Sequence, residues 1–209
     1  MMRWERFKKS VRGARPELAL LCGLLLALCV CLAPVRAQEG LADKLTRLHV
    51  VANSDSAADQ SLKLRVRDRI LREAGYQYGC FEGRVDDALL RRLQRAAQAE
   101  VSARGYGYPV TVTREKMFFD TRRYDGFSLP AGYYDAVRVV IGEGKGKNWW
   151  CVLFPPLCLG AAGQDITQAA RGAGLTEDEI ALIREDGTGY VVRFKLMEAW
   201  GSLRHWLDR

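Results

Sequence analysis

The chain has 209 residues, 48% hydrophobic and 27% charged, with a formal net charge of +7. Seven of the 32 Lys and Arg but only two of the 25 Asp and Glu fall in residues 1–37, so the remainder carries only +2 and gives no independent case for nucleic-acid binding. Two histidines and scattered cysteines make no metal-ligand spacing, and no glycine-rich loop has a phosphate-binding pattern, so neither a metal nor a cofactor is expected.

Residues 1–37 read as an export signal. Arg3, Arg6, Lys8, Lys9, Arg12 and Arg15 form a basic start, and Leu18 to Ala33 follows without a charge. That apolar run is short for a spanning helix, which needs about 20 residues, and fits a signal-peptide core. Pro34 ends the helix, and Val35 and Ala37 stand at the two positions a signal peptidase reads, which predicts cleavage after Ala37. The rival is an uncleaved signal anchor that keeps the protein in contact with the membrane through this leader. A lipoprotein cut before Cys22, Cys29 or Cys31 is disfavoured, because Leu21, Leu28 and Val30 are too large for the preceding position.

After a polar lead-in from Gln38, Leu45 to Ala52 reads as a strand, β-branched and apolar at its end. Asn53-Ser54-Asp55-Ser56 stops it. Ser56 with Asp59 has the spacing of a capping box, opening a helix to about Ala74 with Leu62, Val66 and Ile70 on one stripe. Tyr76 to Gly83 is a loop. A second helix spans about Val85 to Ala103, its stripe made of Leu89, Leu90, Leu93, Ala97 and Val101.

Pro109 to Thr113 is β-rich, and Glu115 to Phe119 can continue it. Asp125-Gly126, Pro130 and Gly132 mark a loop. Tyr133 to Ile141 is a strand, Gly142 to Lys147 a turn, and Asn148 to Phe154 its expected hairpin partner. Ala161 to Gly174 is rich in Ala and Gly and reads as loose. Thr176 and Glu179 open a short helix to about Arg184, Tyr190 to about Leu196 is strand-like, and Met197 to Leu207 closes the chain as a helix with Trp200, Leu203, Trp206 and Leu207 on one side. The order predicts an α+β fold, a mostly antiparallel sheet with two helices packed on one face. Residues 45–158 form the main domain, and 159–209 an extension of it.

Two clusters carry chemistry. In the first, Asn53, Asp55 and Asp59 resemble the start of a calcium loop but fail it: Ala57 stands where a ligand is needed, and neither the glycine nor the closing glutamate follows. The plainer reading is a well-capped strand-to-helix turn; the sharper is a polar recognition tip at a helix N-terminus. In the second, Asn148 to Cys158, adjacent Trp149 and Trp150 must point to opposite faces of a strand. This cluster is either a two-sided buried strand or an aromatic contact surface, since rigid aromatics bury much area at low entropic cost.

Outside the leader the cysteines are Cys80, Cys151 and Cys158. The turn at Phe154-Pro155-Pro156 makes Cys151 and Cys158 the expected disulfide; the alternative leaves all three reduced and partly buried. An enzyme reading would make Cys151 a nucleophile, His49 its base and Asp55 the orienting carboxylate, provided the fold brings them within hydrogen-bond reach.

Taken together, RLHVVANSDSAADQSLKLRVRDRI (Arg47–Ile70) and PAGYYDAVRVVIGEGKGKNWWCVLFPPLC (Pro130–Cys158) strongly resemble the two signatures of the stage II sporulation protein R family. The resemblance covers Leu45 to Cys158. It implies a signalling protein of endospore formers, made in the forespore and exported into the space between forespore and mother cell. Its partner there would be a membrane-embedded aspartic protease of the mother cell, the stage II sporulation protease, which cuts the precursor of sigma factor E. The protein would then be a ligand without catalysis of its own. Asn53, Ser54, Asp55 and Ser56 at the helix tip, with Trp149, Trp150 and Phe154, are expected near the contact surface. The competing classes are an exported cysteine hydrolase using Cys151 and His49, and a structural envelope protein.

Overall fold

The computed structural model describes residues 20–25, 40–74, 85–124, 126–155, 166–172 and 174–184, with residues 199, 203 and 206. Six strands lie at β1 (Thr46–Val51), β2 (Val110–Phe119), β3 (Arg122–Tyr124), β4 (Phe127–Leu129), β5 (Gly132–Ile141) and β6 (Asn148–Phe154). Four helices are α1 (Ala57–Glu73), α2 (Asp87–Ala103), α3 (Ile166–Gly172) and α4 (Glu177–Ile183). The fold is α+β.

The main sheet has the order β2-β5-β1-β6. Strand β1 runs parallel to β5 and antiparallel to β6, and β2 is antiparallel to β5. The expected hairpin between Tyr133–Ile141 and Asn148–Phe154 therefore does not form. β1 lies between them, and residues 142–147 cross over its end. The reason lies in β1 itself. Five of its six residues are buried, so it needs a neighbour on both edges, and a direct hairpin would deny it one.

Strand periodicity assigns the two faces. Leu48 and Val50 point to one side, where they meet Leu62, Val66 and Ile70 of α1 and Leu93, Ala97 and Val101 of α2. Each such Leu, Val or Ile side chain, fully buried, contributes roughly 1.5–3 kcal/mol. α1 begins at Ser56, whose hydroxyl accepts from the Asp59 N–H at 3.1 Å. α2 begins at Asp86, whose carboxylate accepts from the Leu89 N–H at 2.7 Å. On α2, Gln94 and Gln98 bond the backbone of β2: Gln94 reaches Val110 and Val112, and Gln98 reaches Tyr108 and Val110. These amides satisfy groups on an edge strand that would otherwise invite pairing with another chain.

The other face is also covered, which the sequence did not disclose. Leu41, Ala42 and Leu45 from a helical turn and its exit, Phe127 and Leu129 of β4, and Leu175, Ile180 and Ile183 around α4 form a second core with Phe119, Tyr134, Ala136 and Val152. The stretch expected to be a loop, Asp125 to Gly132, contains the strand β4, which pairs with β3 just before it, and part of the stretch expected to be loose is the helix α3. α4 has the full capping box predicted for Thr176 and Glu179.

Among the described residues no helix is long and apolar enough to cross a membrane. In the segment expected to be a leader, residues 20–25 are helical and exposed, and the expected cleavage site after Ala37 lies outside the described residues. So do the loop at 76–83 and the strand-like run at 190–196. Of the last predicted helix, residues 199, 203 and 206 are helical, with Leu203 and Trp206 exposed.

The crossover leaves no room above β1. A Cβ on Gly146 would sit 2.5 Å from the Ser54 carbonyl carbon, whereas one on Gly107 would meet nothing within 4 Å. Gly146→Ala should therefore lower stability by about 1–3 kcal/mol in urea unfolding. Gly107→Ala should stay within about 0.5 kcal/mol of the parent. Equal stability of the two variants would contradict the crossover.

Candidate functional site

The end of β1 is where the two sequence clusters meet. The Gly146 N–H donates to the Ala52 carbonyl at 2.9 Å and the Lys145 N–H to that of Asn53 at 3.1 Å. Side chains complete the join: Asn53 Oδ1 accepts from the Glu143 N–H at 3.0 Å, and Asp55 Oδ1 from the Lys147 N–H at 2.6 Å. From α1, Lys63 Nζ reaches the Lys147 carbonyl at 2.8 Å.

The tip is also bonded to itself. Asn53 Nδ2 and Ser54 Oγ both donate to Asp59 Oδ2, at 2.8 and 2.6 Å. Those bonds, Ser54 first, hold the Asp59 carboxyl below its ordinary range. The Asp59 carboxylate thus goes to Asn53 and Ser54 instead of returning to the Ser56 N–H, which donates to Ser54 Oγ at 3.2 Å. Much of the polar capacity of Asn53, Ser54 and Asp55 is spent on strand, loop and helix. Asp55 and Ser56 are exposed, and Asn53 and Ser54 half-buried.

The tryptophans divide as their spacing requires. Trp149 packs on the helix-side core with the Arg67 guanidinium 4.7 Å from its ring centre. Trp150 lies on the opposite face, stacked on His49 at 3.8 Å and edge-on to Phe119 at 4.9 Å. Phe154 does not behave as a contact residue. A register shift at Thr46/Arg47 places it, with Leu153, in the helix-side core at 4% exposure.

The less expected feature is a group of basic side chains on the Trp150 face. Arg47 is fully buried, its guanidinium 4.3 Å above Phe119 and 5.1 Å from Tyr134. Its Nε donates to the Cys151 carbonyl at 3.1 Å and one Nη to the Tyr124 hydroxyl at 2.7 Å; among the described residues the other Nη has no partner. Burial pushes its pKa down, against the favourable effect of the tyrosines. His49 follows two residues on, at 5% exposure, with neither ring nitrogen in a well-formed hydrogen bond among the described residues. Burial lowers its pKa to about 4, with Asn148 opposing and Arg138 assisting the shift. The Arg122 guanidinium lies 5.4 Å from Trp150. Sequence reasoning gave Arg47, Arg122 and Arg138 no role. The available signal was period two: Arg47 and His49 alternate with the apolar Leu48 and Val50, so they must share one face.

This geometry separates the proposed catalytic pair. Cys151 opposes Leu48, and His49 opposes Trp150, so the thiol position and the imidazole point to opposite sides of the sheet. Cys151 is also disulfide-bonded and fully buried, with Cys158 outside the described residues. Asp55 is engaged with Lys147. No Cys-His-Asp arrangement exists among these three residues.

Comparison with known proteins adds two positive findings. The family model for stage II sporulation protein R matches residues 42–164. A protein of Bacillus subtilis (strain 168), named stage II sporulation protein R, is 36% identical over 121 residues, which cover 56% of this chain and 54% of that protein. The matched region thus spans about half the length of that relative. No solved structure matches.

The buried imidazole has a measurable consequence. His49 binds a proton more readily unfolded than folded, so stability should fall as pH drops from about 6.5 toward about 4. A shift of that size corresponds to no more than about 3 kcal/mol. His49→Phe, which keeps an aromatic ring against Trp150, should flatten that part of the profile in urea titrations. An unchanged profile would show that His49 is not the group responsible.

Proposed function

This chain belongs to the stage II sporulation protein R family, and we propose that it is an exported signal that activates a membrane-embedded aspartic protease. Family membership gives it a role in sporulation. The finer reading is that it acts between forespore and mother cell, where the protease it switches on cuts the precursor of sigma factor E. The basic, then apolar, start of the chain supports export, with a form tethered by its leader as the variant of that reading.

One observation carries the proposal. Both signature stretches fall inside the matched span, and they are bonded to each other through the tip at Asn53–Ser56 and the crossover at 142–147. Such a body offers a shaped surface, and its cysteine and histidine stand on opposite faces, which favours a ligand over a thiol hydrolase. Within this reading, Asp55, Ser56, Trp149 and Trp150 remain candidate contact residues, and Cys158 is the proposed partner of Cys151.

Reconstitution tests it. The full chain, the protease and the sigma factor precursor are produced together in a non-sporulating host. Precursor cleavage should require all three. Equal cleavage without this chain would contradict activation and favour a structural envelope role. Replacing Cys151 and Cys158 together by alanine should remove a disulfide, which is worth about 2–5 kcal/mol in a small exported domain. It should leave processing per folded, exported molecule largely intact. Complete loss of processing in a folded variant would restore the hydrolase. Peptide mapping without reductant should yield one peptide pair containing Cys151 and Cys158; a pair with Cys80 would displace that assignment.

A further inference from the structure

We infer that the open end of the second sheet face, around Trp150, Arg122 and Arg138, is the docking site for an extended acidic segment of the protein partner, an inference that rests on the activator reading. One row crosses this end of the sheet: Thr113 on β2, Arg138 on β5, His49 on β1 and Trp150 on β6. Thr111 and Thr113 are exposed and Trp150 is half-buried, so the row is open where the second core stops. The Arg138 side chain is 42% exposed.

The electrostatics of the row call for an anion. Arg47 and Arg122 make no ion pair among the described residues, and Arg138 has only Glu115 at 3.5 Å. Among the described residues each of the three guanidinium groups keeps one buried nitrogen without an acceptor, Nη1 of Arg47 and Nε of Arg122 and of Arg138, against a single buried carboxylate oxygen without a donor, Glu115 Oε1. A buried donor left unpaired is costly; Arg47 and Arg122 lie over the rings of Phe119 and Trp150, and Arg138 is the strand neighbour of His49, which stacks on Trp150. Arg122 lies over Trp150, Trp150 meets Phe119 edge-on, and Arg47 lies over Phe119. A guanidinium fork matches a carboxylate in two parallel bonds, and Arg beside Trp is the composition of an energetic hot spot.

These groups are partly recessed beside an indole, which suits a side chain reaching in from an extended peptide. The phosphates of a bilayer would instead meet protruding cations such as Arg65, Arg91 and Arg95, which are exposed on the helix layer. An acidic peptide segment of the protease's outer part is therefore the occupant.

The test uses the full chain in the reconstituted system, with Arg122→Glu and Arg138→Glu made singly and together, and Arg65→Glu with Arg91→Glu as the helix-layer control. The double reversal should slow precursor processing at least tenfold at equal export and equal thermal midpoint, and the control should match the parent. Wild-type processing by the double reversal would overturn the inference. If that variant fails to fold, Arg122→Gln with Arg138→Gln takes its place: a several-fold loss supports the site and an unchanged rate overturns it. A parent chain that does not promote processing at all defeats the activator reading, and this inference with it, before any variant is compared. Two further outcomes would reassign the face. Loss of flotation with phosphatidylglycerol vesicles while processing is unchanged would give it to lipid headgroups. A parent dimer that Arg122→Glu dissociates would give it to a second copy.

Discussion

Everything in this molecule depends on β1 being a central strand that is too buried to be left at an edge. Its residues from Arg47 to Val51 are buried, so its backbone must be paired on both sides and both of its faces must be covered. β5 supplies one side in parallel and β6 the other in antiparallel, and the chain reaches from β5 to β6 only by passing over the end of β1. That passage brings the crossover loop against Asn53–Ser56. The two most unusual stretches of the sequence are thus two halves of one junction.

The same centrality divides the chemistry. Leu48 and Val50 close the helix-side core, while Arg47 and His49 are forced to the opposite face. There, burial works against the charged forms of both, since removing a cation from water is costly without a compensating anion. Aromatic rings above and beside Arg47 offset part of that cost through their electron-rich faces. The result is a face with cationic donors in surplus, beside a half-buried tryptophan. That surplus contrasts with the hydrogen-bonded tip, where the donors and acceptors are largely matched to one another.

Much of the frame was legible in the sequence because its signals are local. The strand at Leu45–Ala52, the helix after Ser56 and the helix to Ala103 follow from periodicity and caps, and the opposite orientation of Trp149 and Trp150 follows from the strand repeat. What was missed depends on long-range pairing. Gly142 to Lys147 has the composition of a hairpin turn, and nothing nearby reveals that β1, about ninety residues earlier, would occupy the place between its arms. The β3–β4 ribbon was hidden by its Gly and Pro, and the helix at Ile166–Gly172 by the small residues around it. For the site, the local sequence presents the tip as exposed polar surface, because hydrogen bonds to distant backbone, such as Asp55 to Lys147, leave no mark in it. Phe154 turns inward through a register shift that leaves no trace in composition.

Amide hydrogen exchange at the crossover measures the central claim most directly. The N–H groups of Glu143, Lys145, Gly146 and Lys147 donate to Asn53 Oδ1, the Asn53 carbonyl, the Ala52 carbonyl and Asp55 Oδ1. If the junction is as described, these four amides exchange slowly and in step with the amides of β1, because opening one requires opening the other. Fast exchange at all four, alongside a protected β1, would mean that the loop swings free of the strand and that the two stretches do not form one unit.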